Sequence, residues 1–224
     1  MTDRWREYVE GSLDKAGGRL AAAFEDWAYM QPVLTRIRRR FPRGARVLEL
    51  GCGAGLLASL LASWGFDVTA SDNDTSVLEV ARETFRAFGQ DVNVVEVDVT
   101  DLPPDLTGFD LIFSLGLIEH FDREVTVELV RQQRRAARVV MAVVPTAHTH
   151  HAAAVTDERL YDRAGWRQIF VDAGVGVSEA FVFGDLPTRT AAVARRALPP
   201  SAYRLVQDRL TFGMNICLFS EPSP

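Results

Sequence analysis

Lysine is almost missing from this chain. Lys15 is the only one, and every other basic residue is arginine. We read that bias as a coding preference, but it has one chemical consequence. A P-loop needs a lysine after its glycine-rich turn to reach the phosphates, and none is present. Cysteine is equally scarce. Cys52 sits in a glycine-rich stretch and Cys217 in a late apolar run, so neither has metal-ligand spacing and no disulfide framework is indicated. No apolar run approaches the roughly 18 residues that cross a bilayer. The start, Met1-Thr-Asp-Arg-Trp-Arg, lacks the apolar region of a secretory signal. There is no repeat and no low-complexity tract. These absences set the expectation of a cytoplasmic protein with no membrane partner. The net charge of −5 argues against a nucleic-acid partner. One basic cluster, Arg36-Ile-Arg-Arg-Arg-Phe-Pro-Arg43, reads either as a phosphate contact or as a solvated helix end favoured by the helix dipole.

What is present is a regular alternation. With 224 residues and 47% hydrophobic content, the chain can bury the core of one large α/β domain. Residues 1–43 read as helical, with Leu20, Phe24, Trp27 and Leu34 at helical spacing. Strands are expected at Arg46–Leu50, Asp67–Ser71, Val92–Glu96, Phe109–Ser114, Arg138–Val144, Val177–Phe183 and Gly213–Ser220. Between them, helices are expected over Leu56–Trp64, Thr75–Phe88, Asp122–Arg135 (capped by Asp122) and Tyr161–Ala173. A last helical stretch, Pro187–Leu210, is interrupted at Pro199-Pro200. Such alternation predicts an α/β fold with a doubly wound, largely parallel sheet and helices on both faces. Ligands of such sheets bind at the carboxyl ends of the strands, so the residues that follow the strands carry the information.

The strongest signal is Val47-Leu-Glu-Leu-Gly-Cys-Gly-Ala-Gly55, a buried strand that runs through three alternate glycines into a helix. Glycine there lets the backbone turn tightly and approach a ligand, and the helix start offers free N–H groups. Alone, such a turn reads equally well as a plain strand-to-helix connection. Glu49 adds chemistry: a carboxylate two residues before the first glycine repels a pyrophosphate and suits an ammonium. The dinucleotide fingerprint G-x-G-x-x-G fails where Leu56 replaces its third glycine, which counts against a nicotinamide-dependent oxidoreductase.

This stretch resembles motif I of the class I S-adenosylmethionine-dependent methyltransferases, E/D-x-G-x-G-x-G, matched by Glu49, Gly51, Gly53 and Gly55 with Cys52 inside the turn. The resemblance runs from about residue 44 to 144 and is looser beyond. It implies a Rossmann-like seven-stranded sheet of order 3-2-1-4-5-7-6 with an antiparallel last strand. It also implies a 44–224 methyltransferase domain preceded by a 1–43 helical cover. The implied cofactor is S-adenosylmethionine, leaving as S-adenosylhomocysteine. By the same resemblance, Asp72, 21 residues after Gly51, holds the ribose hydroxyls with Asn73 beside it. A carboxylate accepts two hydrogen bonds from a vicinal diol, whereas capping the next helix suits Asp74 better. Asp98 maps to the adenine contact with the Val99 backbone, although a solvent-facing loop aspartate is the simpler reading. Ser114 and Leu115 map beneath the methionine moiety.

The implied reaction moves a methyl group to an O or N atom of a small-molecule acceptor. All four histidines follow strands: His120 after the fourth, and His148, His150 and His151 after the fifth. His120 and His148 are candidates for a base that takes the acceptor proton. His150, Tyr8 and Trp27 are candidates for acceptor contacts. The run Thr146–His151 is also open to a metal-site reading or to that of a polar loop with incidental histidines, and no cysteine or carboxylate partner lies near it in sequence. Ser114-Leu-Gly-Leu117 lacks the N/D/S-P-P-Y/F/W stretch of amino-methylating DNA enzymes, and no cysteine follows a proline as base-carbon methylation requires. A non-catalytic binding module on the same fold and a macromolecular acceptor stay open, as does the oligomeric state, a homodimer included.

Overall fold

Two glycines divide the N-terminal helical region. Gly17 and Gly18 take φ values of 87° and 108°, which a residue with a Cβ rarely adopts. The result is two helices, α1 (Asp3–Ala16) and α2 (Arg19–Arg40). The computed structural model describes residues 3–146, 158–186 and 188–222. Strands and helices then alternate as β1 (Arg46–Leu50), α3 (Leu56–Ser63), β2 (Asp67–Asp72), α4 (Thr75–Ala87), β3 (Asn93–Glu96) and β4 (Phe109–Leu115). There follow a short 3-10 turn (Ile118–His120), α5 (Arg123–Ala136), β5 (Ala137–Pro145), α6 (Arg163–Asp172) and β6 (Val177–Phe183). The chain closes with α7 (Arg189–Ala197), α8 (Pro200–Arg209) and β7 (Asn215–Ser220). The seven strands form one sheet in the order β3-β2-β1-β4-β5-β7-β6, the order expected. β7 is antiparallel to both of its neighbours.

The chain falls into two compact units. The first holds residues up to Ser114 together with Gln132–Val140; the second holds Leu115–Arg131 and Met141–Pro222. In the first unit β1 pairs in parallel with β2, Arg46 opposite Asp67, and with β4, Val47 opposite Leu111. Val47, Leu48 and Leu50 are fully buried, as a central parallel strand covered on both faces requires. Glu49 is the exception in that strand. α4 buries Val77, Leu78, Val80, Ala81, Thr84 and Phe85 and is capped by Asp74, which accepts hydrogen bonds from the Ser76 N–H (2.9 Å) and hydroxyl (2.6 Å). α1 packs on α4 and α2 on α3, and Val9, Leu13 and Ala22 share a cluster with Val77 and Val80.

The N-terminal region is helical as expected, but its apolar spacing does not mark the buried face. Leu34 is buried, but Leu20, Phe24 and Trp27 are exposed, at 77%, 66% and 41%. The buried stripe of α2 is instead Ala22, Met30, Val33, Leu34 and Ile37. Helical spacing finds a face but does not say which of two apolar faces meets the core. The arginine cluster is a helix end: Arg38, Arg39 and Arg40 occupy the exposed last turn of α2, and the Arg38 guanidinium lies 4.8 Å from the Trp64 ring centre.

In the second unit β7 is buried from Ile216 to Ser220 between β5 and β6. Trp166 and Phe170 of α6 are fully buried, and Tyr161 meets the Trp166 ring edge-on at 5.0 Å. α6 begins at Arg163, two residues later than expected, because the Asp162 carboxylate caps it through the Gly165 N–H at 2.7 Å. Asp122 stands immediately before α5. Its carbonyl accepts the Thr126 N–H, and its carboxylate pairs with Arg159 at 2.9 Å. α7 and α8 are separated at Leu198-Pro199, where the sequence placed the interruption.

Candidate active site

The first unit places its chemistry at the carboxyl ends of β1 and β2. Gly51, Gly53 and Gly55 all have positive φ. A Cβ on Gly55 would stand 2.6 Å from the Phe85 ring of α4, so that position needs glycine for space as well as for its φ of 70°. A Cβ on Gly53 would make only an ordinary contact, 3.8 Å from Val9 of α1, and there the φ of 51° is what favours glycine. The turn is thus packed from beneath by α4 and approached from above by the N-terminal helix. It is tied to β2 by the Cys52 N–H, which donates to the Ser71 carbonyl at 2.8 Å. Cys52 itself is buried and its thiol is pushed well up, first by burial and then by the Glu49 and Asp72 charges. A thiol raised in this way is a poor nucleophile.

Glu49 is 3% exposed, and its Oε2 has no hydrogen-bond partner. Burial pushes its carboxyl up to about 8; the Ala58 N–H in the first turn of α3 opposes this, and Asp26 and Asp72 add to it. A buried carboxylate with an orphan oxygen costs stability unless something outside the chain satisfies it. Asp72 is half-buried and raised by burial, against which work the N–H groups of Asp74, Gly53 and Asn73. Its Oδ1 accepts from the Asp74 N–H at 3.2 Å and its Oδ2 from the Gly53 N–H at 3.4 Å. Those long bonds set the carboxylate across the gap between the end of β2 and the glycine turn. Asn73 is exposed. Ser114, opposite Leu50 at the end of β4, is 1% exposed with an unpartnered hydroxyl.

Asp98 behaves mainly as the loop aspartate. It is exposed, and its Oδ1 accepts the Thr100 N–H at 2.8 Å and hydroxyl at 2.7 Å, which hold its carboxyl below the usual range. Val99 beside it is buried. Tyr8 lies exposed on α1, edge-on to Trp5 at 6.0 Å, and Trp27 lies exposed on α2, 5.9 Å from Phe24.

The second unit holds Leu115, half-buried at the end of β4, and His120, half-buried in the 3-10 turn. The His120 carbonyl accepts from Arg159 at 2.8 Å, which fixes the turn from below. Glu119, which the sequence reading passed over, is 2% exposed with an unpartnered Oε2. Burial pushes its carboxyl to about 8, its own backbone N–H opposes that, and Glu158 adds to it. Its signal in the sequence was its place directly before His120. His148, His150 and His151 lie outside the described residues, and so does the metal reading attached to them. Among the described residues no cluster of three His, Cys, Asp or Glu side chains is arranged to hold a metal. No helix among them is long and apolar enough to cross a membrane.

Residues 47–139 match the family model of a methyltransferase domain. That match supports a class I S-adenosylmethionine-dependent methyltransferase. The matched span takes in the glycine turn, Glu49, Asp72, Asp98 and His120. Among curated proteins the chain is similar to a ubiquinone biosynthesis O-methyltransferase of Xanthomonas axonopodis pv. citri, 39% identical over 35% of this chain and 34% of the relative. A protein of the same name from Rickettsia felis is 27% identical over 72% of this chain and 58% of its own length. The chain therefore spans between a third and three fifths of these relatives. The fold matches the magnesium protoporphyrin IX methyltransferase of Synechocystis PCC 6803 with bound S-adenosylmethionine, with a TM-score of 0.61 and 18% identity over 91% of this chain and 82% of that one. It also matches a chain of the complex between the Haloferax volcanii Trm112 methyltransferase activator and a methyltransferase, with a TM-score of 0.68 and 20% identity over 99% and 96% of the two chains.

Proposed function

We propose that this protein transfers a methyl group from S-adenosylmethionine to an oxygen or nitrogen atom of a small-molecule acceptor. The observation that carries this reading is the buried Glu49 carboxylate, whose orphan oxygen lies beside a glycine turn that tolerates no Cβ at Gly55. An ammonium-bearing ligand satisfies that oxygen, and a pyrophosphate does not. Glu49 and the turn hold the methionine half of the donor, Asp72 takes the ribose hydroxyls, and the second oxygen of Asp98 meets the adenine. The unpartnered Ser114 hydroxyl and Leu115 lie on the methionine side. The donor supplies an already activated methyl on a sulfonium, so the chain contributes alignment and exclusion of water. His120 receives the acceptor proton where the acceptor is a hydroxyl or ammonium, with His148 as its alternate. Tyr8 and Trp27 offer aromatic faces to the acceptor, and His150 a polar contact. The names of the curated relatives favour oxygen over nitrogen.

The test is a panel of phenols, amines and carboxylic acids scored by S-adenosylhomocysteine release, run beside calorimetry of donor binding. Donor affinity in the micromolar range, lost by about 2–3 kcal/mol in Asp72→Ala, is the expected result. Absence of binding by the wild type, or binding displaced by a nicotinamide dinucleotide, overturns the reading.

A further inference from the structure

The turn after β4 holds a carboxyl that the donor site does not use. Glu119 is 2% exposed, and its Oε2 has no hydrogen-bond partner. The backbone around it is held firmly. The Arg159 N–H donates to the Glu119 carbonyl at 2.8 Å. The Arg159 guanidinium donates to the His120 carbonyl at 2.8 Å and to the Asp122 carboxylate at 2.9 Å. On the other side, the Thr126 hydroxyl lies 3.2 Å from the Ile118 carbonyl and 3.3 Å from the Phe121 carbonyl. These bonds fix the turn and leave the Glu119 Oε2 unsatisfied. An unpaired carboxylate oxygen in a buried, fixed place costs free energy unless a donor reaches it.

Gly116 shows from where a donor could come. This glycine leaves β4 directly after Leu115, is exposed, and takes a φ of 60°. Its N–H donates to the Val143 carbonyl of β5 at 3.0 Å, which pins it at the carboxyl end of the sheet. Chain neighbours aside, a single atom of the described residues comes within 4 Å of the place its Cβ would take: the Glu119 Oε1, at 3.5 Å. The absent side chain therefore leaves a notch lined by the Glu119 carboxyl. Its place in the sheet also suits a ligand. From the neighbours β1 and β4 the strand order runs outward in opposite directions, to β2 and β3 and to β5. Doubly wound sheets bind ligands beyond the carboxyl ends of such a strand pair. His120, the proposed base, is the next residue of the same turn.

We propose that Glu119 is an acceptor-binding residue: its carboxylate, reached through the notch over Gly116, accepts a hydrogen bond from an O–H or N–H group of the methyl acceptor. The proposal rests on the methyltransferase reading above and adds a chemical requirement to it. The acceptor carries a hydrogen-bond donor at or beside the atom that receives the methyl group. An ionised carboxylate only accepts, so an ether or a fully substituted amine in the notch leaves its oxygen unsatisfied and binds less well.

Nuclear magnetic resonance on protein with isotope-labelled glycine tests it, with S-adenosylhomocysteine bound and at a pH above 8, where the Glu119 carboxyl is ionised. The Gly116 N–H, assigned by its loss in Gly116→Ala, reports on the notch. Phenol and propylamine carry a donor; anisole and tetramethylammonium are their donor-free counterparts. Phenol or propylamine should shift the signal saturably, and which of them does so distinguishes a hydroxyl from an amine acceptor. The counterpart should bind about tenfold more weakly or worse, the worth of one hydrogen bond to a charged group. Glu119→Gln should weaken the responding probe by a similar factor and leave S-adenosylhomocysteine affinity within about twofold. Glu119→Asp, which draws the carboxyl back by one methylene, is read in the same way if the glutamine variant folds poorly, and the comparison of each probe with its counterpart needs no variant. No response to either donor probe, an equal response to the counterparts, or an unaltered response in Glu119→Gln overturns the proposal. Failure of the wild type to bind S-adenosylhomocysteine overturns instead the methyltransferase reading beneath it.

Discussion

Glu49→Gln should make the ligand-free protein more stable at alkaline pH, although it removes a group the site depends on. The folded carboxyl sits at about 8, against an ordinary 4.5, chiefly because it is buried. The folded state therefore keeps a proton that the unfolded chain has released. The stability associated with this group is fully present below 4.5, erodes as pH rises, and is lost once pH passes about 8. Integrating over that window, the wild type loses about 3 kcal/mol between about pH 5.5 and pH 8 through Glu49 alone. Burial is nearly complete, so solvent screening does not reduce the figure greatly. Glutamine keeps the shape and does not titrate. Urea denaturation of both proteins without cofactor, at half-unit intervals of pH, isolates the contribution of Glu49. The difference in unfolding free energy should swing in favour of the variant by that amount as pH rises, and Glu119, common to both, cancels. Parallel stability curves across the range would show that the Glu49 carboxylate is already satisfied within the fold, and would remove the main physical argument for an ammonium ligand.

Gly55→Ala should destabilise the protein by about 2–4 kcal/mol in urea denaturation, from a left-handed backbone carrying a Cβ and from overpacking. That Cβ would stand 2.6 Å from the Phe85 ring at a φ of 70°. His120→Ala should lower turnover about 10²–10⁴-fold in the S-adenosylhomocysteine release assay. It should leave donor affinity intact, since the group acts on the acceptor proton; equal turnover would leave catalysis to alignment.

How much of this was legible in the sequence depends on how local each signal is. The elements were readable because a strand buried on both faces is nearly all apolar, as in Ile216–Phe219 and, apart from Glu49, in Val47–Leu50, and because Asp74 and Asp162 cap helices in their own vicinity. Pairing of β7 between β5 and β6 is non-local, and only the family resemblance carried it. The site divides in the same way. Glu49, the glycine turn and Asp72 belong to one strand-turn-helix-strand unit, and the fold keeps them together. The aromatic spacing of α2 misled: Leu20, Phe24 and Trp27 are periodic but outward, and the core stripe is carried partly by the less conspicuous Ala22 and Val33. At Asp98 the motif gave the position and not the local partners: the Thr100 N–H and hydroxyl both donate to its Oδ1.

A fold selected only for stability has no use for Glu49 or Glu119. Each is a carboxyl at 3% exposure or less with an oxygen that has no partner; Glu49 is the penultimate residue of β1 and Glu119 lies in the turn after β4. A leucine at either place would remove the desolvation cost and add apolar contact. Nearby arginines do not relieve them. Arg159 spends its guanidinium on Asp122 and the His120 carbonyl, and Arg82 acts on Cys52. Structural ion pairs are thus available in this arginine-rich chain, and among the described residues these two acids are not placed in them. That pattern is expected when the missing counter-charge or donor comes from a ligand, because a partner built into the chain would compete with it. Under the proposed function, the group that meets Glu49 is the donor's ammonium. For Glu119 the same reasoning applies next to His120, the residue proposed to receive the acceptor proton. The destabilisation is therefore concentrated at the strand ends where a doubly wound sheet does its chemistry, while the apolar remainder of the sheet supplies the stability that offsets it.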